Sequence, residues 1–377
     1  MKECNISVNK PRYEVLHALR GTAALIVLIY HLFEGFASSP KTQFFNHGYL
    51  AVPFFFMLSG FVIGYAYDDR WANMTTRQFI VRRFVRLHPM VLMGALLGLV
   101  AYILQGSVDW NGNFVPIGWV LLSFVCTVCM IPAIPNSYLD IRGFGELYPM
   151  NGPYWSLLVE YLGNLIYVLI LRRLNNKTLT AVVVISGLYV LYYCISNGSG
   201  NGNLGIGWTM NDNYLIDGIL CMIFFFSCGL MISRVSDKFR FNTKYMFAIS
   251  SVLLFVLLAM PYMDMTEGME WKNGLYEALV VLIVFPCIII FASRNSLESS
   301  FGRKICEIAG DISYPVYAIH YPSMYLFYSW VWKNNYTFSQ VWYAGVFVII
   351  LNIVLAYVLM HLYDNPIRKY IGSKIFG

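Results

Sequence analysis

Charge is what this sequence has least of. Asp, Glu, Lys and Arg together make up 12% of its 377 residues, against roughly 25% in an average soluble domain. A soluble protein of this length needs far more polar surface, because its core cannot grow that fast with length. No cleavable leader is expected either. The first apolar run starts near His17, is too long for the hydrophobic part of a signal peptide, and lacks a clear small-residue cleavage site. Six of the eight cysteines sit inside apolar runs (Cys126, Cys129, Cys194, Cys221, Cys228 and Cys287). Cys126 and Cys129 have no second Cys or His pair at zinc spacing, so neither a disulfide framework nor a metal site is expected. The net charge of +6 is dispersed in short clusters between apolar runs, which excludes the contiguous basic patch of a nucleic-acid binder. Without two matching broken-helix halves, a transporter loses its best sequence support.

What is present is a succession of long apolar runs. Hydrophobic residues are 58% and aromatics 17% of the chain, with many aromatics near run ends, where rings favour the headgroup layer. Runs long enough to span a bilayer fall at 17–37, 48–67, 89–107, 153–171, 178–196, 213–232, 245–262, 275–292, 311–331 and 339–362. The run at 117–133 is an eleventh candidate. Charge decides between ten and eleven. With ten spans and a cytoplasmic N-terminus, 21 of the 26 Lys and Arg residues fall on inside segments and four outside, with Arg20 within a helix. An eleventh span would invert everything after it and break the positive-inside rule. The expectation is an all-α integral membrane protein of about ten helices, both termini cytoplasmic, with 117–133 re-entrant or interfacial. It forms one domain over 1–377 with no appended soluble module, in the inner (cytoplasmic) membrane.

Ionisable groups inside spans cost about 2.5–3.5 kcal/mol each on insertion scales, so Arg20, Glu34, Glu160, Asp217 and Glu277 need reasons. Arg20 and His31 are eleven residues apart, which places both on one helical face about 16 Å apart along the axis. Each alone reads equally as a structural group, Arg20 snorkelling and His31 bonded within the bundle. Together they favour a lined cavity. Glu160 is expected about 10 Å below the outer surface, deep enough to pair with His31. Arg83 and Arg86 share a helical face and can grip one polyanion, although taken alone they are better accounted for by positive-inside anchoring. His320 lies near mid-membrane between Pro315 and Pro322, which should loosen the backbone. Ser59 and Gly60 end a Phe-rich run where small residues allow close helix approach.

These segments resemble acyltransferase family 3, membrane enzymes that O-acylate bacterial surface glycans and some lipids. The resemblance rests on Arg20-x10-His31, the FFFMLSG run ending at Ser59 and Gly60, Arg83-x-x-Arg86 before Pro89, Trp155 to Glu160, and Ser313-Tyr314-Pro315 to His320. It covers about residues 13–370. It implies that Arg20 and His31 are essential, that Glu160 belongs to the site, and that Arg83 and Arg86 hold the phosphates of a cytoplasmic acyl-CoA. His320, Tyr314, Ser59 and Trp155 would support the site. Pro53 stands where the family often has Asp. The implied reaction is transfer of an acyl group, acetyl by default, from acyl-CoA to a hydroxyl of a surface glycan or lipid-linked sugar. Membrane lipid and the acceptor are the partners, and no bound cofactor or metal is implied. Without an SGNH-hydrolase module, transfer is direct or passes to a separate periplasmic acyl-accepting protein. The competing class is a polytopic transporter of a small anion or sugar, which also predicts charged residues facing a cavity.

Overall fold

The computed structural model describes residues 13–236, 243, 245–295 and 300–376. Of the basic residues used for topology, Lys2, Lys10, Arg12, Lys238, Arg240 and Lys244 lie outside the described residues.

The fold is all-α. Its helices are α1 (Glu14–Glu34), α2 (Ala51–Tyr67), α3 (Thr76–Leu104), α4 (Ile117–Val128), α5 (Tyr154–Leu169), α6 (Asn176–Ile195) and α7 (Tyr214–Val235). They continue with α8 (Met246–Ala259), α9 (Glu270–Leu279), α10 (Phe285–Ala292), α11 (Ser300–Asn334), α12 (Phe338–Leu359) and α13 (Asn365–Phe376). One turn of π-helix joins α9 to α10 (Val280–Val284) and another joins α12 to α13 (Met360–Asp364). Polar caps set several starts: Thr75 and Gln78 cap α3 reciprocally, Thr337 and Gln340 do the same for α12, and Asn175 caps α6.

Among the described residues, eight helices are long and apolar enough to cross a membrane. Two more run from one end of the bundle to the other. At the lower end, where α1 begins, Arg303 of α11 pairs with Glu14, while at the upper end Trp332 Nε1 donates to Gly35 O. Helix α8 has 14 residues, about 21 Å of helix. Before it, Thr243 N donates to Asn295 Oδ1 near the lower end, and after it His47 Nδ1 donates to Met260 O near the upper end. Helix α4 is different. Its 12 residues give about 18 Å, too short for a ~30 Å hydrocarbon core, and it packs against α3.

Two close helix pairs build the frame of the site. Gly60 and Gly229 let the α2 and α7 backbones touch: a Cβ on Gly229 would fall 1.9 Å from Met57 O, and one on Gly60 2.0 Å from Phe226 O. Gly21 and Gly310 do the same for α1 and α11. That second pairing sets His31 beside His320.

The prolines of α11 act otherwise than the sequence suggests. The helix runs unbroken through Pro315 and Pro322. Pro322 leaves the Ala318 carbonyl without its helical donor, and Asn151 Nδ2 (2.9 Å) and Tyr154 Oη (3.0 Å) donate to it instead. Helix α5 therefore starts inside the bundle, at the level of Ala318.

Candidate active site

A cavity of about 250 Å³ opens between α1, α2, α3, α5, α11 and α13. Arg20, Ser59, Arg83, Arg86, Glu160 and Tyr314 all line it, joined by Ser156, Tyr317 and Arg368. Six of the nine residues singled out in the sequence thus line one cavity. Glu160 accepts from Arg83 Nη2 at 2.8 Å and from Ser59 Oγ at 2.5 Å, while Arg83 Nε donates to Asn164 Oδ1 at 2.6 Å. Arg86 is exposed to the cavity and makes no hydrogen bond or ion pair among the described residues. Its cationic neighbours are Arg20, Arg83 and Arg368. Tyr314 Oη donates to Leu87 O at 2.5 Å, tying α11 to α3.

The cavity ends at Ser156 and Tyr317, whose hydroxyls are 2.5 Å apart. The Tyr317 ring lies 5.9 Å from His320, and His320 lies 5.2 Å from His31. His320 is buried, and its Nδ1 sits 2.9 Å from Tyr317 O. A carbonyl only accepts, so Nδ1 carries the proton and Nε2 is a lone-pair acceptor. That Nε2 is buried and has no partner. His31 Nδ1 is 2.8 Å from Glu34 Oε2, which also accepts from Tyr321 and Tyr328 at 3.2 Å each. Tyr328 shares its one proton between Glu34 and His31 O. An ionised Glu34 only accepts, so His31 donates from Nδ1 and leaves Nε2 as the basic nitrogen. The two imidazoles present the same open atom.

This corrects one expectation. The carboxylate beside His31 is Glu34, one helical turn away, and not Glu160. Because α5 starts deep in the bundle, Glu160 is level with Arg83 and about 9 Å below the start of its helix. Trp155 is also away from the cavity. It packs edge-on against Phe56 (6.4 Å) and crowds Gly207 of the 197–213 loop. The sequence signal for Glu34 was its i, i+3 spacing from His31. A second overlooked signal is Tyr314, Tyr317, Tyr321, Tyr325 and Tyr328, spaced 3-4-4-3 along α11, which makes one hydroxyl-bearing stripe from the cavity past His320 to Glu34.

Above His31, the stripe meets two charged residues of the 129–153 segment. Arg142 is buried against Tyr325 (3.5 Å to the ring centre), and Tyr325 Oη donates to Glu146 at 2.7 Å. Burial pushes the Glu146 carboxyl up to about 7, partly offset by Arg142. An unfolded glutamate ionises near its ordinary value of 4.5. Between these values the folded state binds the extra proton, so stability falls as pH rises through that window and is flat above it, by up to about 3 kcal/mol. Glu146→Gln is expected to remove this slope in melting curves taken in detergent from pH 4.5 to 8. An unchanged slope would place the effect elsewhere.

A family model described as an acyltransferase domain, family 3, matches residues 13–361. The chain belongs to acyltransferase family 3. It is a multi-pass membrane acyltransferase. The chain is similar to "Protein 2 in picA locus" of Rhizobium radiobacter, 28% identical over 188 residues, 48% of this chain and 93% of that protein. It is also similar to the peptidoglycan O-acetyltransferase OatA of Listeria monocytogenes, 24% identical over 381 residues, 94% of this chain and 55% of that protein. The chain thus spans about half the length of the second relative. No solved structure matches. The family match takes in Arg20, His31, Glu34, Arg83, Arg86, Glu160 and His320, and stops short of Arg368.

Proposed function

We propose that this acyltransferase is an O-acetyltransferase of the inner membrane that moves an acetyl group from cytoplasmic acetyl-CoA to a hydroxyl of a surface glycan or lipid-linked sugar. One observation carries the reading. The cavity is bordered by the guanidinium groups of Arg20, Arg83, Arg86 and Arg368, and its Tyr317 end lies one residue layer below the paired imidazoles of His320, whose buried Nε2 has no partner, and His31. Guanidinium groups suit phosphate oxygens, which they meet with paired N–H donors. The phosphates would stay among Arg20, Arg83 and Arg86, while the uncharged pantetheine arm passes Ser59 and Tyr317 toward His31.

The acceptor hydroxyl would arrive from the upper end. His31 Nε2 takes its proton, the oxygen bonds to the thioester carbonyl carbon, and the carbon–sulfur bond breaks. The CoA thiolate then recovers the proton from His31. Glu34 holds the ring in the required tautomer and stabilises the transient imidazolium, helped by Tyr321 and Tyr328. His320 Nε2 can only accept, so it suits an anchor for a second hydroxyl of the acceptor sugar, not for the one whose proton goes to His31. Direct transfer requires no covalent intermediate, which makes it the simpler route than an acyl-histidine.

The test is chemical. Purified protein with acetyl-CoA and isolated wall or capsule glycans releases free CoA and yields an O-acetylated acceptor. Uptake of a small anion or sugar into proteoliposomes, with no CoA released, favours a transporter instead.

A further inference from the structure

We propose that Arg368, on the C-terminal helix α13, is a further phosphate-binding residue of the acyl donor's site. This rests on the donor reading above. Arg368 lies beyond the family match, which ends at residue 361, and α13 otherwise looks like a basic tail.

The π turn at Met360–Asp364 separates α12 from α13. A π turn adds a residue to the helical repeat and so rotates the helix that follows it. Beyond it, Asp364 is 1% exposed and Arg368 borders the same cavity as Arg20, Arg83 and Arg86. Asp364 and Arg368 form an i, i+4 ion pair through Arg368 Nη2. That pair leaves two atoms unmatched: Asp364 Oδ1 and Arg368 Nε are both buried without a hydrogen-bond partner. A guanidinium has five N–H donors, so Asp364 positions Arg368 without saturating it.

The surrounding charges point to a polyanion. Four guanidinium groups border one cavity, and three of them bear on the fourth, Arg86, as repelling neighbours. Of the carboxylates lining the same cavity, Glu160 is occupied by Arg83 and Ser59, and Asp311 is 2.9 Å from His17 Nε2. Asp364 is the carboxylate facing both Arg368 and Arg86. It acts as an internal counter-ion that shares Arg368 and Arg86 with an incoming phosphate. A ligand bearing several phosphates relieves the repulsion, and the unpartnered Nε of Arg368 gains an acceptor.

The experiment is titration of CoA into the full-length protein in phosphatidylcholine nanodiscs. Arg368→Gln is expected to weaken CoA binding about tenfold or more, and Arg368→Lys less, because lysine keeps the charge and loses the fork. Arg368→Gln also strands the buried Asp364, so Asp364→Asn/Arg368→Gln is measured beside it to remove both charges together. The same loss of affinity is expected there. CoA affinity within twofold of wild type in the folded double variant overturns the role of Arg368 and leaves the donor reading standing. Absence of CoA binding by the wild-type protein overturns the donor reading itself. Titration with nanodiscs containing phosphatidylglycerol separates the sources of phosphate. If Arg368→Gln changes association with that lipid and leaves CoA binding intact, the residue serves a headgroup and the proposal fails.

Discussion

His31→Ala inserts into the membrane, still binds CoA, and transfers acetyl at least about a hundredfold more slowly than wild type. The expectation follows from the tautomer. His31 donates its Nδ1 proton to Glu34 in a hydrogen bond, so its only basic atom is Nε2, and its ring lies 5.2 Å from that of His320. The cavity residues are one layer away and keep their own bonds, so donor affinity should change little. Glu34→Gln gives a graded result. An amide can bond to Nδ1 but cannot stabilise an imidazolium, and it can present an NH₂ group that favours the wrong tautomer. Its kcat should fall about tenfold to a hundredfold with an unchanged KM for acetyl-CoA. Retention of most activity in His31→Ala would remove His31 from the chemistry. A raised KM with normal kcat would assign it to binding.

Arg83 and Arg86 should separate into two phenotypes, although sequence spacing alone makes them equivalent. Arg86 has no bonded partner among the described residues, so Arg86→Ala removes only a cation facing the cavity. Its KM for acetyl-CoA should rise about tenfold or more with kcat nearly kept. Arg83 is 6% exposed and joined to Glu160 and Asn164. Removing one member of a buried ion pair typically costs about 3–5 kcal/mol, so Arg83→Ala should lower the melting temperature and the yield of folded protein. Adding Glu160→Gln should restore much of the stability without restoring donor affinity. Equal KM effects in the two single variants, with no difference in melting, would contradict the assignment. So would an effect on the acceptor alone.

The parts of the site carried on one helix were legible in the sequence. Helical geometry fixes Arg20, His31 and Glu34 relative to one another, and the costs of burying them in lipid made them conspicuous. Arg83 and Arg86 were legible by their i, i+3 spacing alone, on a segment the sequence places before the 89–107 span. The relation between helices was not. Placing Glu160 opposite His31 assumed that α5 starts at the membrane surface. It starts lower, because the Pro322 side of α11 offers the Ala318 carbonyl to Asn151 and Tyr154. That is a long-range contact: Pro322 marks the free carbonyl, but nothing local says which segment bonds to it. The tyrosine stripe of α11 was visible as spacing, yet tyrosine in a membrane helix usually reads as interfacial or packing. Arg368 was the least legible. Only the π turn and the fold of α13 against α3 distinguish it from the neighbouring Lys369 and Lys374.

The central claim is that the acyl group passes from one face of the membrane to the other through this bundle. Proteoliposomes of uniform orientation test it directly. Acetyl-CoA labelled in the acetyl group is supplied only on the face that carries the start of α1, and the glycan acceptor only on the opposite face. Labelled acceptor should accumulate, free CoA should appear on the donor side in equal amount, and His31→Ala should show neither. Transfer that occurs only when donor and acceptor share one face would contradict the account.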